Sequence, residues 1–315
     1  MVFPKLCVDF VAYLGVRLVA TVAEVLSAES VRALAKFLSW LAADVLKIRR
    51  RVIVENLGYA FPAVTAAERQ QLVRKMWEHL FLLAYEILLT PRKIHETNWR
   101  KFVRLCKHEG PLLDILRGRP LVLVTGHFGN FEIGGYVLAL LGVPLYSVAR
   151  PIDNPFLDRF LTRLRTAGGQ MLIPKLGATE AVDQVAKEGK TVAFLADQSA
   201  GPKGCFVDFF GRKASTFKAV ALVSLVHQAP IVVCYARRRE RVFQFDLEVL
   251  GVFDPLRDSH VSADVPSITQ WFTTVLEEEI RQHPEQYWWL HRRWKEQPPL
   301  RRKELAELPS AKQAA

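Results

Sequence analysis

The most chemically loaded stretch of this chain is Gly126-His127-Phe128-Gly129-Asn130-Phe131-Glu132, which follows the apolar run Leu121–Thr125. An imidazole with a carboxylate on one ring nitrogen keeps a single tautomer and can take a proton on the other, which makes a general base for a hydroxyl. On one continuous helix, His127 and Glu132 would lie about 140° apart. They can meet only if the chain turns between them, and Gly126 and Gly129 supply freedom for such a turn. The plainer alternative is a histidine that only hydrogen-bonds a glycine loop. A metal site is disfavoured, because H-x-x-x-x-E lacks the histidine pair of H-E-x-x-H and has no other His or Cys at ligand spacing nearby.

Two further polar groups follow apolar runs. Arg150 comes just after Leu145–Ala149, where it suits a phosphate or the developing charge of a carbonyl oxygen, or else pairs with Asp153. Asp197 and Gln198 come just after Thr191–Ala196, as contacts to a substrate hydroxyl or as a structural cap. Lys175 adds positive charge after Gln170–Pro174.

Apolar runs of strand length, those four and Ile231–Ala236, alternate with helical patterns at Glu132–Leu141, Pro155–Ala167, Thr179–Glu188 and Phe217–His227. That alternation predicts βαβ crossovers and one large α/β domain with a mostly parallel sheet flanked by helices. Working residues then belong beyond the carboxyl ends of the strands. Phe243–Leu250 alternates like an antiparallel edge strand. Helices are expected over Thr65–Thr90, over Gly110–Arg117, and from Ser267, where Ser267 and Gln270 form a capping box.

Ahead of this domain, Leu6–Leu26 is apolar but interrupted by Asp9, Arg17 and Glu24, and Val31–Ile48 is amphipathic and leads into Arg49-Arg50-Arg51. The two form a helical hairpin that either caps the core or associates with a membrane, lying in its plane or acting as one anchor. The expected division is residues 1–60 as this membrane-associating segment, 61–297 as the catalytic domain and 298–315 as a polar, disordered tail.

The chain has 315 residues, half of them hydrophobic, with 43 Lys+Arg against 32 Asp+Glu, a net charge of +11 and a pI near 9.6. Disordered and collagen-like classes are excluded by this composition. So basic a protein attracts polyanions. Nucleic acid is a poor choice among them, because the basic residues are dispersed and no RNA- or DNA-binding fingerprint is present. Four scattered cysteines signal neither a disulfide framework nor a zinc cluster. A serine hydrolase would need a G-x-S-x-G elbow, which is absent.

Taken in order, GHFGNFE, the R-P-x-D-N-P block from Arg150, FLADQ, VDFFGRKASTFKAVALVSLVHQAP and YWWLHRRWK resemble the late acyltransferases of bacterial lipid A biosynthesis, the lauroyl/myristoyl type within the lysophospholipid acyltransferase superfamily. The resemblance covers nearly the whole chain. It implies an acyl chain passed from a thioester donor (acyl carrier protein or coenzyme A) to a hydroxyl of a membrane glycolipid, with no metal or organic cofactor, at the cytoplasmic face of the inner membrane. It puts the family's histidine on His127 and its acidic partner on Glu132. Arg150, Asp197 and Gln198, with amides near Gly129 and Asn130, become oxyanion or acceptor contacts. Where related enzymes carry E-G-T-R, this chain has Asp197-Gln198-Ser199-Ala200, which favours a lipid A precursor over a glycerol phosphate. Another glycolipid acceptor, or a non-catalytic lipid-binding protein on the same fold, are the alternatives. Arg49, Arg50, Arg51, Trp289, Arg292 and Arg293 are then expected to contact the anionic membrane or the carrier protein.

Overall fold

A computed structural model describes residues 2–106 and 118–298; the helix expected at Gly110–Arg117 and almost all of the polar tail lie outside them. The chain opens with α1 (Val2–Val25) and α2 (Ala28–Trp40), the expected hairpin, in which the Ser27 hydroxyl caps α2 by accepting from the Ser30 amide at 3.1 Å. A π turn, Leu41–Val45, leads to α3 (Arg50–Ala60), and Arg49, Arg50 and Arg51 are exposed. Then comes the long α4 (Ala66–Lys93), started by a capping box between Thr65 and Glu68.

The rest of the described chain alternates as β1 (Val103–Cys106), β2 (Leu121–Thr125), α5 (Phe131–Leu140), β3 (Leu145–Ala149), α6 (Pro155–Thr166), β4 (Met171–Pro174), α7 (Ala178–Lys187) and β5 (Thr191–Leu195). It continues through the hairpin β6 (Cys205–Phe209) and β7 (Arg212–Thr216), α8 (Ala219–His227), β8 (Ile231–Arg238), β9 (Phe245–Phe253) and α9 (Val265–Gln282). Seven strands form one sheet in the order β1-β9-β8-β2-β5-β3-β4, parallel throughout except for β8 against β9. The fold is therefore the mostly parallel α/β sheet that the alternation predicts. β9 is antiparallel to β8, but it is not an edge, because β1 pairs along its other side.

Both faces of the sheet are buried. Val122, Val124, Val192, Phe194, Ile231 and Val233 pack in the large core with Ile268, Phe272 and Leu276 of α9. The alternate residues Leu121, Leu123, Ala193 and Val232 face the other way, against Ala139 of α5 and Leu145. Each valine, leucine, isoleucine or phenylalanine among them contributes about 1.5–3 kcal/mol when fully buried. This two-sided burial is why the strands read as continuous apolar runs.

α9 begins two residues before the expected Ser267. Asp264 is its cap, accepting from the Ser267 amide at 2.8 Å and the Ser267 hydroxyl at 2.9 Å. Gln270 instead holds the β6–β7 hairpin, accepting from the Asp208 amide at 2.7 Å and donating to its carbonyl at 3.0 Å.

α1 packs along α6 through rings: Phe10 lies 5.2 Å from Phe156, and Tyr13 6.1 Å from Phe160. Asn154 ties the pair by donating to the Asp9 carbonyl at 2.9 Å. The rest of α1 exposes Val8, Val11, Leu14, Leu18, Val19 and Val22, and the hairpin's second arm exposes Leu34, Phe37 and Trp40. Lys5–Val25 is long and apolar enough to cross a membrane by length and composition, and only 11% of that window is buried.

Asp264→Ala should lower unfolding stability by about 1 kcal/mol, the usual loss for a helix cap, as read from the urea midpoint. Gln270→Ala should leave the helix cap intact and act on the hairpin.

Candidate active site

Register alone brings the two chemical groups together. β2 and β5 pair in parallel with Thr125 opposite Leu195, so two residues further on His127 lies opposite Asp197. The pairing persists past the strands, with the Ala196 amide donating to the Thr125 carbonyl at 2.9 Å. Asp197 is buried and uses both carboxylate oxygens on one residue: Oδ2 accepts from the His127 amide and Oδ1 from His127 Nδ1, each at 2.8 Å. A carboxylate only accepts, so Nδ1 carries a proton, and in the neutral ring the lone pair is on Nε2. Gly126 gives the carboxyl room, since a Cβ at that position would stand 3.3 Å from it and press on it by a few tenths of an ångström.

Burial works to raise the Asp197 pKa. The His127 imidazole, by its charge and its hydrogen bonds, and then His291 outweigh burial, and the carboxyl stays well below the usual carboxylate range. Rings wall the imidazole: the centroids of Phe131, Trp288 and His291 lie 5.1, 5.8 and 6.2 Å from that of His127. Gln198 places its amide nitrogen 3.2 Å from Nε2, as a donor to the lone pair.

The expected partnership of Glu132 with the ring is not the one the structure forms. Asn130 caps α5, accepting from the Ile133 amide at 3.1 Å, and Glu132 sits in the first helical turn with its carboxylate on Arg165 of α6. Arg165 Nε donates to both its oxygens, at 3.0 and 2.9 Å. A small cleft lined by Ile87, Tyr136 and Leu164 opens beside this ion pair.

The Gly129 and Asn130 amides are not available to an oxyanion either. Gly129 donates to the Gln286 carbonyl at 3.0 Å and Asn130 to the Ala236 carbonyl at 2.7 Å. Gly129 has φ +58°, and an added Cβ would stand 2.2 Å from the Ala236 oxygen, so only glycine fits the turn. Arg150 is three-quarters exposed on the same rim of the sheet and faces Asp153 at 3.6 Å.

The carboxy-terminal aromatic and basic run is also placed differently from expectation. Trp289 and Arg293 are buried, 1% and 2% exposed, so neither side chain lies on the surface where the expected contact would be made; Arg292 is exposed. The interior holds two arms of the Arg293 guanidinium: Nη1 donates to the Ser215 carbonyl and Nη2 to Thr216 Oγ1, both at 2.6 Å, the group lies over Phe209, and Nε is buried with no hydrogen-bond partner among the described residues. The run is a strap beneath the site, since the Trp288 amide donates to the His127 carbonyl at 2.9 Å, and Asn56 donates to the Trp289 and His291 carbonyls at 2.8 Å each. Of the Arg237–Arg239 run, Arg237 pairs with Glu279 and Asp246, and Arg238 is buried on Glu86.

The profile of the bacterial lipid A biosynthesis acyltransferase family matches residues 5–296. The chain is 27% identical to the lipid A biosynthesis lauroyltransferase of Escherichia coli (strain K12) over 264 residues, 82% of this chain and 83% of that one. It is 26% identical to the palmitoleoyltransferase of the same strain, over 82% of each chain. Against that strain's lipid A biosynthesis myristoyltransferase the identity is 24%, over 77% of this chain and 73% of the relative.

His291 gives the site a pH signature. Burial, with the charges of His127 and Arg293, outweighs Asp197 and holds its pKa down at about 4, below the ordinary 6.5. The neutral ring's contribution to stability is therefore complete above pH 6.5 and is lost as pH falls to about 4, by up to roughly 3 kcal/mol. Urea unfolding from pH 7 to 4 should show a shallower loss in His291→Gln than in the wild type.

Proposed function

The chain belongs to the bacterial lipid A biosynthesis acyltransferase family, and on that footing we propose that it moves a fatty acyl chain from a thioester donor to a hydroxyl of a lipid A precursor. The observation that carries the chemistry is the buried Asp197 on Nδ1 of His127, which leaves Nε2 as the base. The donor we propose is acyl carrier protein, with acyl-coenzyme A as the alternative thioester.

In this reaction the acceptor hydroxyl displaces the Gln198 amide from Nε2 and gives its proton to that nitrogen as its oxygen attacks the thioester carbonyl. Asp197 stabilises the imidazolium and fixes the ring's orientation. The carbonyl oxygen becomes an oxyanion, held by the Gln198 amide and by the first-turn amides of α5 at Phe131 and Glu132, which have no partners within the helix. Collapse breaks the C–S bond. The thiolate leaves as a stable anion and takes the proton from His127, and the ester remains on the acceptor.

Glu132 acts in this scheme through Arg165, fixing the start of α5 against α6 and leaving the imidazole to Asp197. Arg150, exposed at the end of β3, meets a phosphate of the acceptor. The apolar face of α1 and the exposed Leu34, Phe37 and Trp40 of α2 sit in the lipid, and Arg49, Arg50 and Arg51 sit at the headgroups of the cytoplasmic face of the inner membrane. That arrangement brings the site to the surface from which a glycolipid must be taken.

Purified enzyme, assayed with lauroyl-, myristoyl- and palmitoleoyl-acyl carrier protein and a lipid A precursor, should yield a product heavier by one acyl chain in mass spectrometry. His127→Ala and Asp197→Asn should each lower kcat by ~10²–10⁴-fold, the weight of a positioned base and of its orienting carboxylate. Unchanged turnover in His127→Ala would remove the assignment. Glu132→Gln should cost less than Asp197→Asn; the reverse order would return the orienting role to Glu132.

A further inference from the structure

Beneath the His127 turn lies a buried ionic cluster that the reaction does not use. Glu86 of α4 is 0% exposed and Arg238, at the end of β8, is 8% exposed. Glu86 Oε1 accepts from Arg238 Nε at 2.8 Å and from the Phe243 amide at 3.2 Å. Its Oε2 accepts from Arg238 Nη2 at 2.6 Å and from Asn130 Nδ2 at 3.0 Å. Arg238 Nη1 stands 2.5 Å from His79 Nδ1. A guanidinium can only donate, so Nδ1 accepts and the neutral ring carries its proton on Nε2. That N–H donates to the Gly129 carbonyl at 3.1 Å. Gln286 closes the cluster, accepting from the Arg238 amide at 2.9 Å and donating to the Arg238 carbonyl at 3.0 Å, while its own carbonyl takes the Gly129 amide.

A buried ion pair is a poor route to stability alone, because well-packed apolar side chains of similar volume often do as well or better. Here the polar arms end on two consecutive residues of the catalytic turn: the Gly129 carbonyl and the Asn130 side chain. We propose that Glu86, Arg238 and His79 are positioning residues for acyl transfer, a buried relay that fixes Gly129 and Asn130 and thereby sets the position of the His127 imidazole over Asp197. The inference rests on the reading of His127 as the base. Gly129 is two residues from His127, and a displacement of about 1 Å at a reacting nitrogen can cost about 100-fold in rate.

The test compares His79→Leu with His79→Gln in the full-length enzyme, using the acyl-carrier-protein thioester that gives the highest turnover. Glutamine can accept from Arg238 and donate to Gly129; leucine can do neither. At a temperature where circular dichroism shows each variant folded, His79→Leu should lower kcat about 30–100-fold and change the thioester KM less than about 2-fold. His79→Gln should recover kcat to within about 5-fold of wild type. If His79→Leu does not fold, His79→Asn replaces it, since that side chain is too short to span from α4 to the Gly129 carbonyl, and the same kcat loss is required. A folded His79→Leu or His79→Asn within 3-fold of wild-type kcat overturns the proposal, as does a His79→Gln no better than the leucine variant. His127→Ala, run in parallel, separates the two readings: if it retains turnover the base assignment fails, and if it is inactive while folded His79→Leu is normal, only the relay fails.

Discussion

Taking a carboxylate out of water costs several kcal/mol unless its oxygens find donors, and Asp197 finds both on a single residue. The surrounding structure follows from that demand. The bare Cα of Gly126 leaves the carboxyl room beneath it, and the two parallel strands must end in register for the amide and the ring nitrogen to arrive together. Tyr235 and Tyr287 stand near the carboxylate, and burial together with its charge pushes both phenols well above their ordinary pKa, so they stay neutral beside it. The histidine turn is consequently more tightly held than a glycine-containing loop suggests.

The amino-acid sequence discloses the strands and crossovers because a sheet covered on both faces needs unbroken apolar runs. It discloses His127 because a histidine and a carboxylate in a glycine-containing turn after a strand are conspicuous. It does not disclose which carboxylate serves His127. Nearness along the chain favours Glu132, whereas parallel pairing favours Asp197, and the register of β2 with β5 is not a local property. The buried cluster is hidden for the same reason, since Glu86, Asn130 and Arg238 come from three distant segments and nothing local to any of them pairs it with the others.

Two other misreadings have simple causes. Tryptophan beside arginine suits a bilayer interface, but the same amphipathic chemistry suits an interior where a carbonyl, a hydroxyl and a phenylalanine face receive the guanidinium, as they do for Arg293. The β6–β7 hairpin escapes notice because its two turn residues are Phe210 and Gly211, both at positive φ. Asn-Gly is the usual marker of such a turn, and a phenylalanine in the first position disguises it. Phe210 belongs there because its ring packs on Trp289 and Phe61.

The strap from Pro284 to Trp294 supplies the Gln286 carbonyl, the Trp288 amide and the His291 ring to a turn made about half a chain earlier. During synthesis, α1 emerges from the ribosome long before these residues exist. The imidazole therefore lacks several of the contacts that hold it until the last tenth or so of the chain has been made, and the turn cannot set before the strap arrives.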